Sequence, residues 1–273
     1  MSVWAQVVLI LMCVYGVFLG GFAVFQRGFL FPFVETGPAP ADLPRTEVRV
    51  LPATGDDPPL EVWVTTPLPG KPVLVYFMGF SGALSVHEPR LRAFGAAGYG
   101  VVAMAYRGGG GQAGEPGEAA FLRDASRVWR SLDDLVGAPV GADDRVIYGF
   151  SLGSGIAVAL AAEVEEMALI LEAPYDRLCR TVEVDFSILP ACRILRSDRF
   201  DSIDRIGAVD TISYFLHGAE DSVVPIALGR ALFVATPEPK FARIYARATH
   251  EDLPRFGADQ NTIRFLDTLR GDP

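Results

Sequence analysis

The chain opens with a long apolar segment and then changes to short hydrophobic runs separated by polar and amphipathic stretches. Val3 to Phe25 is almost unbroken apolar sequence, in which Gln6 is the one strongly polar side chain. About 20 apolar residues suffice to cross a hydrocarbon core about 30 Å thick. Helices of globular cores rarely run this long without polar positions, so the segment predicts a membrane-spanning helix.

A cleaved signal peptide is the alternative for this segment. No Lys or Arg precedes the apolar run, and the run exceeds the roughly 7–15 residues of a signal peptide core. We therefore predict an uncleaved anchor over residues 1–27 and a proline-rich connector over 28–44. Flanking charge leaves the sidedness nearly balanced, and Arg45 and Arg49 tilt it toward a cytoplasmic domain.

Residues 45–273 alternate between strand-like and helix-like patterns. Thr46–Leu51 and Leu60–Thr66 flank a turn with Gly55 and two prolines, and predict an antiparallel hairpin. Later runs are apolar at consecutive positions, as expected for strands covered on both faces of a parallel sheet. These predicted strands are Val73–Met78, Gly100–Ala105, Val146–Phe150, Met167–Leu171, Ile212–Leu216 and a weaker Ala242–Ala246.

The stretches between these runs predict helices, and the alternation defines the fold class. The predicted helices are Glu88–Ala97, Glu118–Val136, Leu152–Ala162, Ile226–Ala235 and a last one near Arg255–Leu269. Alternating strands and helices predict an α/β fold with a mostly parallel, doubly wound sheet and right-handed crossovers.

The alternation is interrupted once, between Pro174 and Asp210. That stretch is long for a connection in a compact domain, where long connections are commonly lids or binding loops. We predict a small cap over the active site, at about residues 175–210. An ordinary crossover helix with an irregular linker is the alternative.

Composition excludes several classes of function. The 273 residues carry a net charge of −9 and show no basic stripe, which argues against a nucleic-acid partner. The three cysteines form no metal-binding motif, so no metal or other cofactor is predicted. Cys179 and Cys192 would be able to pair in an oxidising compartment, and two free thiols are the alternative.

The strongest chemical signal is Gly149-Phe150-Ser151-Leu152-Gly153, between a predicted strand and a predicted helix. This G-x-S-x-G pattern makes a sharp turn that exposes a serine oxygen, and the flanking glycines give the turn room. Ser151 is therefore the predicted nucleophile. The free N–H groups at the helix start make Leu152 N–H a candidate oxyanion donor.

The general base is sought among three histidines. His250 follows the last predicted strand, which agrees with the Ser, acid, His chain order of such folds. His217 ends a buried strand, where a hydrogen bond in the turn is the simpler role, and His87 opens a helix. We predict that His250 takes the proton from Ser151.

The acid is expected between Ser151 and His250, just past a strand end. Asp221 meets this requirement and would orient the imidazole of His250. Glu220 is adjacent but would point away in an extended loop. Glu172, at the end of the preceding strand, is the alternative acid.

Glycine-containing loops follow two of the predicted strands. Phe80, in Gly79-Phe80-Ser81-Gly82 after the strand Val73–Met78, offers a second oxyanion N–H. Gly108–Gly111 follows the next strand. It is not a phosphate-binding loop, because no Gly-Lys-Ser/Thr sequence follows.

As an ordered set, these residues resemble the α/β-hydrolase superfamily through Ser151, Asp221 and His250. More narrowly, the chain resembles membrane-anchored α/β-hydrolase domain proteins with lysophospholipase-like and depalmitoylase-like members. It departs at Met78-Gly79-Phe80, where such proteins usually carry His-Gly-Asn, so the donor in this loop is not transferred from the family. The narrower resemblance rests on the anchor, Tyr106-Arg107-Gly108, Gly114-Glu115-Pro116, Gly149–Gly155, Leu171-Glu172-Ala173-Pro174-Tyr175, Arg199-Phe200-Asp201, His217-Gly218 and His250-Glu251-Asp252-Leu253.

The residues and the resemblance together predict a membrane-bound serine hydrolase of esters or thioesters with lipid-like acyl groups. A serine peptidase of the same fold is one alternative. A non-catalytic membrane-anchored binding protein is another, against which the intact nucleophile and base argue. Substrate identity and oligomeric state remain open at this point.

Overall fold

The computed structural model describes residues 2–33 and 42–271. Residues 34–41, the middle of the predicted connector, lie outside the described residues. The strands of the described ranges form one mixed sheet in the order β1-β2-β4-β3-β5-β6-β7-β8. The strands are β1 Thr46–Leu51, β2 Leu60–Thr65, β3 Val73–Phe77, β4 Gly100–Met104, β5 Arg145–Phe150, β6 Ala168–Glu172, β7 Ser213–Gly218 and β8 Lys240–Tyr245.

The sheet is antiparallel at one edge and parallel elsewhere. β1 pairs with β2 from Thr46 opposite Thr65 to Leu51 opposite Leu60, which confirms the predicted hairpin. β2 is also antiparallel to β4, and all the other pairs from β4 through β8 are parallel. The predicted mostly parallel α/β fold is therefore confirmed. β3, β4, β6 and β7 are buried along their whole length, because helices cover both faces.

The helices largely match the predicted stretches, with two differences. The predicted helix Glu118–Val136 is divided at Ser131, whose N–H bonds to both Arg127 and Val128 carbonyls. The last helix begins at Ala258, after Gly257 with a φ of 83°. The helices are α1 Val3–Leu30, α2 Glu88–Ala96, α3 Glu118–Arg130, α4 Leu132–Val136, α5 Leu152–Ala161, α6 Leu178–Asp185, α7 Ala191–Ile194, α8 Ser202–Arg205, α9 Ile226–Ala235 and α10 Ala258–Arg270.

Helix α1 is the N-terminal apolar segment. It begins at Val3, where the Ser2 side chain accepts a hydrogen bond from the N–H of Ala5, and it runs three residues beyond the predicted anchor to Leu30. Its 28 residues make a helix about 42 Å long, which exceeds a hydrocarbon core of about 30 Å. By length and composition α1 is able to cross a membrane, with its C-terminal turns left to contact the domain.

Those last turns are fixed to the domain by charge and by aromatic packing. Arg27 pairs with the buried carboxylate of Asp198 at 2.9 Å. Phe31 is buried and packs edge-on against Phe121, with ring centroids 5.4 Å apart. A Cβ at Gly109 would lie 2.5 Å from the ring of Phe33, so the glycine-rich loop after β4 makes room for this aromatic segment.

Residues 175–210, which we call the cap segment, connect β6 to β7 and contain α6, α7 and α8. A disulfide joins Cys179 in α6 to Cys192 in α7, so the structure has the paired form of these cysteines. Near its other end the cap segment is bound to α3, because the Glu118 carboxylate accepts hydrogen bonds from the N–H groups of Arg199 and Phe200. The cap segment is thus fixed both by the disulfide between α6 and α7 and by its hydrogen bonds to α3.

Candidate active site

Ser151 stands at a tight turn between β5 and α5. Its φ of 51° and ψ of −119° are strained for a residue with a side chain. The turn is possible because the residues two positions before and after Ser151 are glycines: a Cβ at Gly153 would lie 2.1 Å from the carbonyl oxygen of Phe77. A Cβ at Gly149 would lie 2.6 Å from that of Ala157. The geometry is that of the nucleophile elbow predicted from the sequence.

The structure brings the three predicted side chains together from separate loops. The Oγ of Ser151 lies 2.9 Å from Nε2 of His250, and Nδ1 of His250 lies 2.8 Å from Oδ2 of Asp221. All three residues are buried. With Nδ1–H donating to the carboxylate, Nε2 is free to accept the serine proton, which is the tautomer a general base requires.

The carboxylate of Asp221 has further donors. The N–H groups of Val223 and Val224 donate to its Oδ1 at 3.0 and 2.8 Å. Nε2 of His217 lies 3.5 Å from its Oδ2 and donates to the Val224 carbonyl at 2.8 Å. Burial alone would raise the pKa of Asp221, but hydrogen bonds from His217, His250 and Val224 outweigh burial and hold this pKa well below its usual range. The group is therefore built to stay ionised.

Glu172, the alternative acid, has different partners. Its Oε1 lies 2.6 Å from Nη2 of Arg90, and the hydroxyl of Tyr148 donates to its other oxygen. Arg90 also binds the carboxylate of Asp259 at 3.0 Å. Burial raises the pKa of Glu172, and the charge of Arg90 opposes that rise. The structure thus places Asp221, not Glu172, at His250.

His87 belongs to the same buried region as Glu172. Its Nδ1 is 3.0 Å from the hydroxyl of Tyr76, and its ring packs on Phe150. Burial, assisted by the charge of Arg90, lowers the pKa of His87 to about 3, so the ring is neutral in ordinary conditions. A packing role fits His87 better than substrate contact.

The two predicted oxyanion donors belong to residues that line the same cavity as the nucleophile. Leu152 is the first residue of α5, and Phe80 follows β3. A Cβ at Gly79 would lie 3.6 Å from that of Ser151, so this loop passes close to the nucleophile. Phe80 and Ser151 line the same cavity. The placement agrees with the predicted roles of both backbone N–H groups, which stay predictions.

A cavity of about 150 Å³ opens beside Ser151. It is mostly apolar, and two of its walls come from α1 and the cap segment. Phe29 and Leu30 of α1 were not predicted as site residues, although the repeated phenylalanines directly after the apolar run were a visible signal. The lining residues are Phe29, Leu30, Phe80, Ser151, Leu152, Tyr175, Leu178, Thr181, Val182, Val223 and Val224.

Known proteins are similar to this chain in sequence or in fold. A family described as serine aminopeptidase matches residues 69–191. An uncharacterised protein of Mycobacterium tuberculosis is 30% identical over 238 residues, which cover 83% of this chain and 81% of that protein. The human alpha/beta hydrolase domain-containing protein 17B is 30% identical over 152 residues, or 56% of this chain and 50% of that protein.

Solved structures are similar to this chain in fold over most of its length. An esterase of Pyrococcus furiosus superimposes with a TM-score of 0.69 at 18% identity, covering 87% of this chain and 98% of its own. An acylaminoacyl peptidase of Pyrococcus horikoshii gives a TM-score of 0.60 at 16% identity, covering 83% of this chain and 41% of its own. The chain belongs to the α/β-hydrolase superfamily and is an α/β-hydrolase enzyme.

Proposed function

We propose that this protein is a membrane-anchored serine hydrolase that cleaves carboxylic ester or thioester bonds of lipid-like acyl substrates. One observation carries the proposal: Ser151, the first member of the hydrogen-bonded series Ser151, His250 and Asp221, lines a mostly apolar cavity. A buried serine that meets a neutral imidazole held by an ionised carboxylate is the arrangement needed for nucleophilic catalysis.

The proposed reaction proceeds in two half-reactions. The Oγ of Ser151 attacks the substrate carbonyl carbon while His250 accepts its proton, and the N–H groups of Leu152 and Phe80 stabilise the oxyanion. The imidazolium returns the proton to the leaving alcohol or thiol, which departs and leaves an acyl-serine. A water molecule, deprotonated by His250, then attacks the acyl-serine, and the imidazolium returns the proton to Oγ of Ser151 as the acyl–oxygen bond breaks and the carboxylic acid is released. Asp221 fixes the imidazole in both half-reactions.

The residues that line the Ser151 cavity favour a substrate with an apolar acyl group over a polar substrate. These residues are mainly Leu, Val and Phe, and two of them belong to a helix that is able to enter a membrane. A signal sequence near the N-terminus is able to pass the same test of helix length and hydropathy as α1. The ion pair from Arg27 and the burial of Leu30 against the domain support a helix that stays attached.

The disulfide bears on the side of the membrane that the domain faces. Disulfides persist in oxidising compartments and are rare in the cytosol. The pair Cys179–Cys192 therefore supports an oxidising compartment, against the weak tilt that Arg45 and Arg49 give toward the cytoplasm. Mass-spectrometric mapping of this pair in protein isolated with a thiol-blocking reagent tests the placement. Two blocked thiols would contradict it.

A fluorophosphonate probe tests the catalytic proposal. We expect the full-length protein to be labelled and the Ser151→Ala variant to be unlabelled at equal folded concentration, because the probe reacts only with an activated serine. Hydrolysis of acyl esters should be lost in the same variant. Absence of labelling in well-folded wild-type protein would overturn the proposal in favour of a binding protein.

A peptidase is the second candidate, favoured by the family described as serine aminopeptidase that matches residues 69–191. The same nucleophile and base would serve amide hydrolysis, so the triad does not separate the two. We expect acyl esters to be turned over faster than aminoacyl amides because the cavity is apolar. Preferential cleavage of aminoacyl amides would reverse the assignment.

A further inference from the structure

A second apolar cavity lies between α1 and the cap segment. It measures about 280 Å³, and we call it the helix–cap groove. Every residue that lines it is apolar. The cap segment contributes Phe186 and Leu189, and α1 contributes Phe18, Gly21, Phe22, Phe25 and Phe29.

The helix–cap groove adjoins the cavity at Ser151. Phe29 lines both spaces, so the groove leads along α1 toward the nucleophile. Small-molecule sites usually enclose at least about 300 Å³. The Ser151 cavity of about 150 Å³ and the groove of about 280 Å³ each fall short of this volume, whereas the two together exceed it.

A hydrogen bond fixes how deep the cap segment reaches along the helix. The hydroxyl of Tyr15 donates to the carbonyl of Ile188 at 2.6 Å. At about 1.5 Å per residue, Tyr15 lies about 18 Å along the helix from Val3, within the roughly 30 Å of a hydrocarbon core. The cap loop around Ile188 therefore lies at membrane depth when α1 spans the bilayer.

The side chains and backbone of this loop suit that position. Val184, Phe186 and Ile188 are apolar yet 44%, 50% and 69% exposed. Contact with lipid would be favourable for these three apolar side chains, whereas their exposure to water is unfavourable. Backbone groups in hydrocarbon must be satisfied by protein, and Tyr15 satisfies the Ile188 carbonyl.

The disulfide encloses the part of the cap segment that lines the groove. Cys179 and Cys192 close a loop that contains both cap residues of the groove, Phe186 and Leu189. The N–H of Leu189 also donates to the Phe186 carbonyl at 2.8 Å. The disulfide and this hydrogen bond thus hold the cap wall of the groove together.

We propose that the helix–cap groove is the acyl-chain subsite, through which a chain residing in the membrane passes between α1 and the cap segment to place its carbonyl at Ser151. The inference rests on the proposed hydrolysis at Ser151. It makes α1 a wall of the substrate site as well as an anchor, and it defines the substrate as a long-chain ester or thioester taken laterally from the lipid.

Gly21 provides a way to fill the groove without disturbing the protein. A Cβ there would meet no atom within 4 Å, so the side chain of Gly21→Leu would project into the groove. Gly20 is the matched control, since a Cβ there also meets nothing and Gly20 does not line the groove. Both glycine replacements add the same volume and hydrophobicity to neighbouring positions of one helix.

The experiment compares full-length wild type, Gly21→Leu and Gly20→Leu in nanodiscs on p-nitrophenyl butyrate and hexadecanoate. We expect Gly21→Leu to lower the hexadecanoate-to-butyrate ratio of kcat/KM by about tenfold or more, the effect of a change of a few carbon atoms in an apolar pocket. Gly20→Leu should keep the wild-type ratio. Thermal unfolding verifies that both variants are folded.

Other results separate the two proposals. If wild type hydrolyses neither ester, the proposed function fails. If wild type hydrolyses both esters and Gly21→Leu leaves their ratio unchanged, the function stands and the subsite is overturned. An equal loss of ratio in Gly20→Leu would also overturn the subsite, because the effect would then come from lipid packing around α1.

Discussion

Two buried carboxylates lie at the ends of neighbouring parallel strands, and they have opposite surroundings. Asp221 follows β7 and receives hydrogen bonds from His250 and from backbone N–H groups. Glu172 ends β6 and is paired with a guanidinium and a phenol. Hydrogen bonding outweighs burial at Asp221 and lowers its pKa, whereas burial prevails at Glu172 and raises its pKa.

The difference teaches that burial at a strand end does not by itself mark the catalytic acid. The hydrogen-bond partner of the carboxylate marks the catalytic acid, because only a carboxylate that reaches the imidazole is able to fix its tautomer. Glu172 instead balances Arg90, whose guanidinium is 6% exposed and also binds Asp259. We therefore assign orientation of the base to Asp221 and structural support beneath the nucleophile to Glu172.

Replacing Asp221 should have the largest effect on catalysis. In Asp221→Asn the oxygen would stay with the N–H groups of Val223 and Val224, and the amide NH₂ would face His250 and favour the wrong tautomer. We expect kcat to fall by about 10⁴-fold with little loss of folding stability. Steady-state hydrolysis of p-nitrophenyl butyrate and urea unfolding measure the two quantities.

Retention of more than about a tenth of the wild-type kcat in Asp221→Asn would show that another acid orients His250. The double variant Asp221→Asn with Glu172→Gln would then test whether the carboxylate of Glu172 orients His250 instead. If Asp221→Asn unfolded at a lower urea concentration than wild type, Asp221 would have a structural role of the kind assigned to Glu172.

Replacing Glu172 should reverse the pattern. Glu172→Gln keeps the shape of the side chain but leaves Arg90 with one carboxylate, Asp259, in a buried position. Breaking a buried ion pair costs about 3–5 kcal/mol, and we expect the lower end because Asp259 remains. Urea unfolding should show this loss, while kcat per folded molecule changes less than about tenfold. A stable but inactive variant would contradict the assignment.

The sequence predicted the parts of this comparison that depend on local pattern. Continuous apolar runs predicted the buried strands, and the Gly149–Gly153 motif predicted the turn that carries the nucleophile. The position of Asp221 after a strand followed from chain order. β8 was the weakest prediction because it is an edge strand whose middle residues are exposed, so its sequence lacks a continuous apolar run.

Features that depend on long-range pairing were not predictable in the same way. The partner of Glu172 is Arg90, 82 residues earlier in the chain, and nothing local to either residue indicates the contact. Phe29 and Leu30 line the Ser151 cavity, but the repeated phenylalanines around them do not indicate which part of the domain they contact. The pairing of Cys179 with Cys192 stayed open because sequence does not report redox environment.

The pH dependence gives the finest test of the contrast, since it asks how many groups titrate in catalysis. His250 must be neutral to accept the Ser151 proton, so kcat/KM should fall as the pH is lowered, approaching tenfold per pH unit for a single protonation. The pKa of Asp221 is lowered in the folded protein, so its carboxylate becomes protonated only below the usual value near 3.9. Asp221 therefore stays ionised over the range in which the rate changes, and a fall in rate there does not come from its protonation. A flat rate would exclude His250 as the base. A fall approaching a hundredfold per unit would show that a second group, such as the Glu172 carboxyl with its raised pKa, titrates with it.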